Sequence, residues 1–417
     1  MQNWVVVFAF CILHFAFTTC AAKPADLGER VVFWGLGREG EEVAKLIPDF
    51  ERRNPNIHVV VQQIPFIAAH EKLLTAVVGR STPDIAQIGN TWIPEMVALH
   101  ALDELTPRVK SPVKTIDQRD YFPGIWATNV IDGGLYGIPW YVDTRLLFYR
   151  KDIVGAPPRT WAEWTAVMDR VVREKKAHYG VLMPINEYEP MLALALTAHS
   201  GFLNADGTKG AFQEPAFADA FNFYVDCFRR GYAPKVSNVQ VANVYQQFAL
   251  ADFVMYITGP WQVAEFRKRL PPEMQDKWAT APLPARDASA PMGIGMAGGS
   301  SLIVFRNSQH KDAAWKFIEF LSEREQQIRF NELSGDLPAR RSAWRTKDPA
   351  FDAFREQLES VAPLPKVPEW EQIGTAIYLH QEEAVRGAKT PAEALAALDA
   401  QANEILEKRR WVLTHRP

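Results

Sequence analysis

The chain has few of the residues that most enzymes and metal proteins rely on. Its 417 residues include only three cysteines, Cys11, Cys20 and Cys227. Two of them lie in the N-terminal stretch, so a mature chain lacking that stretch has only Cys227 and no intramolecular disulfide. Cys227 itself sits in AFNFYVDCFRR, an apolar helical pattern that reads as a buried small residue. The nine histidines show no HExxH spacing, and no CxxC pair occurs, so no metal site or cofactor is expected. There is no GxSxG elbow for a serine nucleophile. Neither sign of charge dominates: 46 basic against 49 acidic residues leave a net charge of −3. Nothing therefore points to nucleic acid or an anionic membrane surface as partner. No short internal repeat or low-complexity tract is present.

Long apolar runs are scarce as well. Trp4–Phe17 is apolar apart from His14 and is too short for a membrane span. It is followed by Thr18-Thr19-Cys20-Ala21-Ala22, so residues 1–22 read as a cleaved export signal with an atypical, uncharged start. FTTC lacks the Leu and the small residue of a lipobox, which favours cleavage over lipidation at Cys20. The remaining chain is long enough for two or three cores. Thirteen tryptophans are a mild hint of an aromatic-lined site, although most are expected in the core.

The stretch that organises the chain is Gly134 to Asp152, GLYGIPWYVDTRLLFYRKD. Two β-prone runs, Leu135–Ile138 and Leu146–Arg150, flank Pro139–Thr144. Pro139 fixes φ and removes a donor, so Trp140, Tyr141 and Asp143 are expected outside a paired strand. Aromatic rings, the Asp143 carboxylate and the Arg145 guanidinium are then presented at a chain crossing. Such groups suit a pyranose, which has apolar faces and a rim of hydroxyls. The alternative is a buried aromatic hairpin with a structural Asp143–Arg145 pair.

Before that stretch, the chain alternates strand and helix. Arg30–Trp34 is a strand, and GLGREG leads into a helix. That loop has no GxGxxG, and Glu39, Glu41 and Glu42 already occupy the positive helix end, which opposes phosphate there. Ile57–Ile64 and IAQI are further strands, separated by a helix over Ala68–Val78. This order predicts a doubly wound, mostly parallel sheet with ligand loops at strand ends, namely Gly35–Gly40 and Gly89–Trp92. Later, Thr160 and Glu163 form a capping box, as do Thr390 and Glu393 around Pro391. DFVMYIT is a buried strand ending in Gly259-Pro260-Trp261. Trp261 has little helical stripe to belong to, which favours a stacking role. Gly298, Gly299 and Ser300 abut a strong strand, and their amides are candidates for ligand oxygens. Lys311–Phe330 reads as one long amphipathic helix.

Several of these stretches share an order with a known family. GIPWYVDTRLLFYRKD, PDIAQIGNTWIPEM, RKDIVGAPPRTWAEW, the GPW turn and the Gly-Gly loop resemble extracellular solute-binding proteins of sugar ABC transporters. The likeness is greatest to the maltose/trehalose-type group, and it covers the chain from Val31 to about Leu406. It implies a two-lobed α/β fold of the type II periplasmic binding protein kind, each lobe a mostly parallel sheet flanked by helices. The lobes would comprise residues 28–138 with 284–338 and residues 139–283 with 339–417. It implies a monomeric, periplasmic, non-enzymatic binder that closes on a sugar and docks on inner-membrane permease subunits. It adds Arg38, Glu41, Asn90, Trp92, Asp336, Arg340 and Trp370 to Tyr141, Asp143, Arg145, Trp261 and Gly298–Ser300 as ligand-binding candidates. Related disaccharide binders often carry Asp near Gly89, so one hydroxyl contact is missing here. Two other classes stay open: a secreted glycoside-acting enzyme using Glu187 with Asp143, and a binder of glycerol-phosphate-type or polyol ligands.

Overall fold

The computed structural model describes residues 28–111, 115–241, 243–290, 292–345 and 348–415. The expected export signal, 1–22, lies outside the described residues. In chain order the first strands are β1 (Glu29–Leu36), β2 (Ile57–Ile64), β3 (Ile85–Gly89), the short pair β4 (Val130–Ile131) and β5 (Gly134–Leu135), β6 (Ile138–Asp143) and β7 (Leu146–Arg150). Then come β8 (Tyr179–Leu182), β9 (Phe253–Thr258), β10 (Trp278–Ala281), β11 (Gly295–Met296), β12 (Gly298–Val304), β13 (Leu337–Pro338) and β14 (Val361–Ala362).

Two large sheets result, one per lobe, beside the two-stranded pairs β4-β5 and β11-β14. The first has the order β13-β6-β12-β3-β1-β2 and the second β10-β7-β9-β8. Helices cover both, as the alternating pattern requires. The sheets are mixed rather than mostly parallel. β1 pairs in parallel with β2 and β3, while β12 and β13 return antiparallel to their neighbours. The reason is topological: strands that re-enter a lobe from the other one arrive from the cleft end.

The organising stretch straddles the lobes in a way the proline argument missed. β6 is a paired strand of the first sheet, and Pro139 lies within it. The register against β12 shifts between Ser300 and Ser301, which lie opposite Tyr141 and Pro139, so Trp140 is the bulged residue. On its other side β6 meets β13 only at Tyr141 and Val142, so Pro139 faces no partner there. A bulge beside an open edge is where a strand tolerates proline. The carbonyl of Trp140 instead accepts from the Gln327 side chain at 3.0 Å. Residues 139–143 thus belong to the first sheet, and the chain crosses at Thr144-Arg145, between β6 and β7, not at Pro139.

The return crossing is β11, which pairs with β14 in a two-stranded ribbon apart from both large sheets. The residues just after β10 stay with the second lobe, where Ala285 bridges Thr160. The third crossing follows Trp344, because Arg340 still bridges Tyr121 and Trp344 still packs on Phe122. The helix Pro349–Leu358 then packs against β10, with Thr280 donating to Ala350 at 2.9 Å.

Local signals set two of the helix starts. The Thr160 hydroxyl accepts from the Glu163 amide, and Thr390 with Glu393 forms a full capping box with Pro391 at the first turn. The expected single helix over Lys311–Phe330 is two, Lys311–Leu321 and Arg324–Ser334. Glu323 is extended (φ −59°, ψ 142°) and restarts the chain, with Glu325 complementing the new N-terminus.

Candidate functional site

Three strand ends of the first lobe converge at the cleft. β1 runs straight into the helix Gly37–Ala44, which places Glu39 in its first turn. β6 ends at Asp143, and Asp336 stands just before β13, which pairs beside it. These carboxyls repel one another and are largely shielded from water. Asp336 is pushed up to about 7 by burial, then by Glu39 and Asp143, with Arg38 opposing. Burial also raises Glu39 and Asp143. One oxygen each of Asp143 and Asp336 is buried without a hydrogen-bond partner. Next to them the buried Tyr141 hydroxyl accepts from Gln87 at 3.0 Å and from Ser300 at 2.9 Å.

The second lobe supplies the opposite wall. Arg145 lies 3.6 Å from Asp143 and 3.4 Å from Glu189, and its guanidinium sits 4.8 Å from the centre of the Trp261 ring. Trp261 opens the helix Trp261–Arg269 directly after β9 and is 43% exposed. Glu187 precedes the helix Glu189–Thr197; burial and Glu189 push it up to about 7 against Arg145 and Asn238. Across the cleft, burial holds Glu371, at the start of the helix Trp370–Arg386, above its ordinary value, with Thr91 and the charge of His70 opposing. His70 is held above its ordinary value by its 2.7 Å contact with Glu95.

The structure brings Tyr141, Asp143, Arg145, Trp261, Ser300 and Asp336 into this one region. Gly298 and Gly299 are there too, but as strand residues paired with Asp143 and Val142, not as a free amide loop. Their lack of a side chain is required: a Cβ on Gly298 would lie 2.0 Å from the Asp143 carboxylate, and one on Gly299 would lie 2.3 Å from the Tyr141 carbonyl. Trp92 is 8% exposed, wedged between Phe66 and His70. Asn90 is buried; its carbonyl accepts from Ser301 at 2.9 Å and its amide nitrogen is without a partner.

Three candidates stand elsewhere, and a fourth, Arg38, borders the region, its charge reaching Asp336. The Arg38 side chain is 62% exposed, pairs with Glu42 at 3.8 Å and donates to the Leu333 carbonyl. Glu41 is exposed and accepts from Gln63 at 2.9 Å. On the short helix it is Glu39, between them in sequence, that faces the cluster. Arg340 is a brace within the first lobe, 2.6 Å from Asp120 and donating to the Ser322 carbonyl. Trp370 is 1% exposed and packs edge-on against Phe202 in the second core, so it offers no face to the cleft. The ligand-binding candidates above omit Glu39, His70, Glu189 and Glu371, and Glu187 entered only as part of the enzyme alternative with Asp143. A signal existed for Glu371 and Glu189: each lies in the first turn of a helix that opens at a strand or loop end facing the crossing.

A family model for bacterial extracellular solute-binding proteins matches residues 34–328, and the chain belongs to that family. The solved sugar-binding protein MalE from the phytopathogen Xanthomonas citri is 47% identical, with a TM-score of 0.88, covering 93% of this chain and 100% of that one. The maltotriose-binding protein of Pyrococcus abyssi is 23% identical over 365 residues, 83% of this chain and 75% of that protein. The galactooligosaccharide-binding protein of Bacillus subtilis is 24% identical over 397 residues, 90% of this chain and 89% of that protein. Among the described residues no helix is long and apolar enough to cross a membrane.

Proposed function

We propose that this protein is the sugar-binding component of an ABC importer, taking a gluco-configured α-disaccharide or short oligosaccharide of maltose or trehalose type in its interlobe cleft. The protein acts in the periplasm as a monomer and delivers its ligand to permease subunits. The observation that carries this reading is the pairing across the cleft of a carboxylate-rich wall with Arg145 stacked on half-exposed Trp261. Carboxylates accept hydrogen bonds from neighbouring sugar hydroxyls, and the indole face takes the apolar side of a pyranose. The 47% identity to a sugar-binding protein supports it.

The charge balance speaks against a phosphate ester. Arg145 already faces Asp143 and Glu189, and Arg38 is paired with Glu42 at the surface. A phosphate entering the cleft would meet Glu39, Asp143, Glu187, Glu189 and Asp336 and, among the described residues, no cleft cation without a carboxylate partner. One observation favours a second reading, glycoside hydrolysis: Glu187 is held at about 7, the range of a general acid.

A thermal-shift panel on the protein from Lys23 onward, with maltose, trehalose, longer glucans, glycerol phosphates and polyols, tests both. Ligand at about 100 Kd stabilises by roughly 2.7 kcal/mol, a readable shift. A shift with maltose or trehalose that Trp261→Ala removes is expected. A shift only with phosphate esters overturns the sugar assignment, and turnover of an aryl glycoside transfers it to the enzyme class.

A further inference from the structure

The lobes meet along a seam beside the cleft. The first lobe contributes the turn Asn90–Trp92, with Pro94 and Thr128 next to it. Pro363–Lys366 and the start of the helix Trp370–Arg386 close on that turn from the other side. Lys366 donates to the Val130 carbonyl at 3.0 Å, and the space left in the seam is about 10 Å³, room for at most one water.

Glu371 enters the seam from the second lobe. The Thr91 hydroxyl of the first lobe hydrogen-bonds its carboxyl, and its Oε1 is buried without a partner. On the first lobe stands His70, whose Nε2 is 2.7 Å from Glu95 and whose ring lies 5.1 Å from that of Trp92. The charges acting on Glu371 are those of His70 and Glu95, and of Glu189 from its own lobe. Those acting on His70 are Glu95, Glu371 and its neighbour Glu71. Tyr188, which burial holds far above its ordinary value, stays neutral beside them. Of these groups only His70 can be positive. With its proton, it joins carboxylates of both lobes; without it, Glu95 and Glu371 repel each other across the seam.

The Glu95 contact lies within the first lobe and is kept when the lobes part. What parting removes is the contribution each lobe makes to the other. His70 and Glu371 both stand above their ordinary values with the seam shut, so shutting it takes up protons. The shut form is favoured on the acid side of the His70 titration and loses that advantage as pH rises through it.

We propose that His70, Glu95 and Glu371 form a proton-controlled latch, which holds the lobes together while His70 carries its proton and releases them when it does not. The latch rests on lobe closure and not on the identity of the ligand.

Spin-label distances between the lobes of the ligand-free protein from Lys23 onward test it. Labels go on Val78→Cys, at the end of the helix Phe66–Val78, and on Val239→Cys in the second lobe; both positions are exposed, and the native Cys227 is buried. From about pH 6 to about pH 8.5 the ratio of the short distance to the long one is expected to fall at least about fivefold. His70→Gln is expected to abolish that fall. Glu371→Gln is expected to do the same from the other lobe, and it decides the matter should His70→Gln fold poorly. A ratio that is constant with pH, one that rises, or a fall that persists in the variants overturns the latch. Each of these results leaves the sugar reading to the thermal-shift panel.

Discussion

Two tryptophans follow prolines at helix starts, and they have opposite fates. Trp261 follows Gly259-Pro260 and is 43% exposed, with Arg145 on its ring; Trp370 follows Pro368-Glu369 and is 1% exposed against Phe202. The local turn is similar, so the turn does not decide. The helix stripe does. Trp370 falls in line with Ile373, Gly374 and Ile377, all buried, so its ring continues the core face. Trp261 lies over Ala264 and Glu265, while its helix buries Gln262, Val263 and Phe266. Its ring is therefore off the buried face and is left at the cleft. Of these two tryptophans, the one left at the cleft is the one whose positions three and four residues on are not buried.

The contrast breaks most visibly at Trp370. Trp370→Ala should cost about 3–5 kcal/mol of stability by emptying a core site, read as a loss in denaturant midpoint at unchanged slope. The fraction that remains folded should bind sugar as before. Trp261→Ala should do the reverse, lowering affinity with little change in midpoint. Arg145→Ala comes next. It strips Asp143 and Glu189 of their shared cation and should destabilise by about 3 kcal/mol, besides weakening binding. Arg340→Ala should cost about 1.5–3 kcal/mol through loss of its charged hydrogen bonds to Asp120 and Ser322, with sugar affinity unchanged per folded molecule. The smallest effect is expected at Arg38→Ala, within about 0.5 kcal/mol in stability, because that side chain is exposed and paired only at the surface.

The acidic wall adds a pH signature. Asp336 titrates in the folded protein near 7 against an ordinary 3.8, so the native state holds a proton that the unfolded chain has lost between those values. Its contribution is thus fully present below about pH 4 and declines as pH rises toward 7. Asp336→Asn should gain on the wild type through that window, measured as the difference in unfolding midpoint from pH 4 to pH 8. A constant difference across the window would show that Asp336 does not titrate there.

The fold was legible in the sequence wherever the signal was local. The capping box Thr390–Glu393, the apolar strand DFVMYIT and the strand-helix alternation of the first lobe stand in the structure, while at Thr160 only half of the expected box forms, because the Glu163 carboxylate accepts from the Arg159 amide instead. What escaped depends on partners distant in the chain. Pro139 sits in a strand because β6 bulges at Trp140 against β12 and β13 is short, neither of which the local sequence announces. Arg340 braces Asp120 across 220 positions, so its charge resembled that of a cleft residue. Glu39 rather than Arg38 or Glu41 faces the cluster because the helix begins at Gly37, earlier than a glycine-rich loop suggests, and one residue rotates the face by a quarter turn or more. The second-lobe acids Glu189 and Glu371 were hidden because first-turn acids are so often explained by the helix dipole alone.

The central claim is that a sugar lies in the cleft against Trp261. Titration calorimetry of the wild type, Trp261→Ala and Trp370→Ala with whichever of maltose or trehalose stabilises the protein tests it most directly. The account predicts one site per molecule, a loss of at least about tenfold in affinity for Trp261→Ala, and wild-type affinity in the folded fraction of Trp370→Ala. Wild-type affinity in Trp261→Ala, or a loss confined to Trp370→Ala, would contradict it.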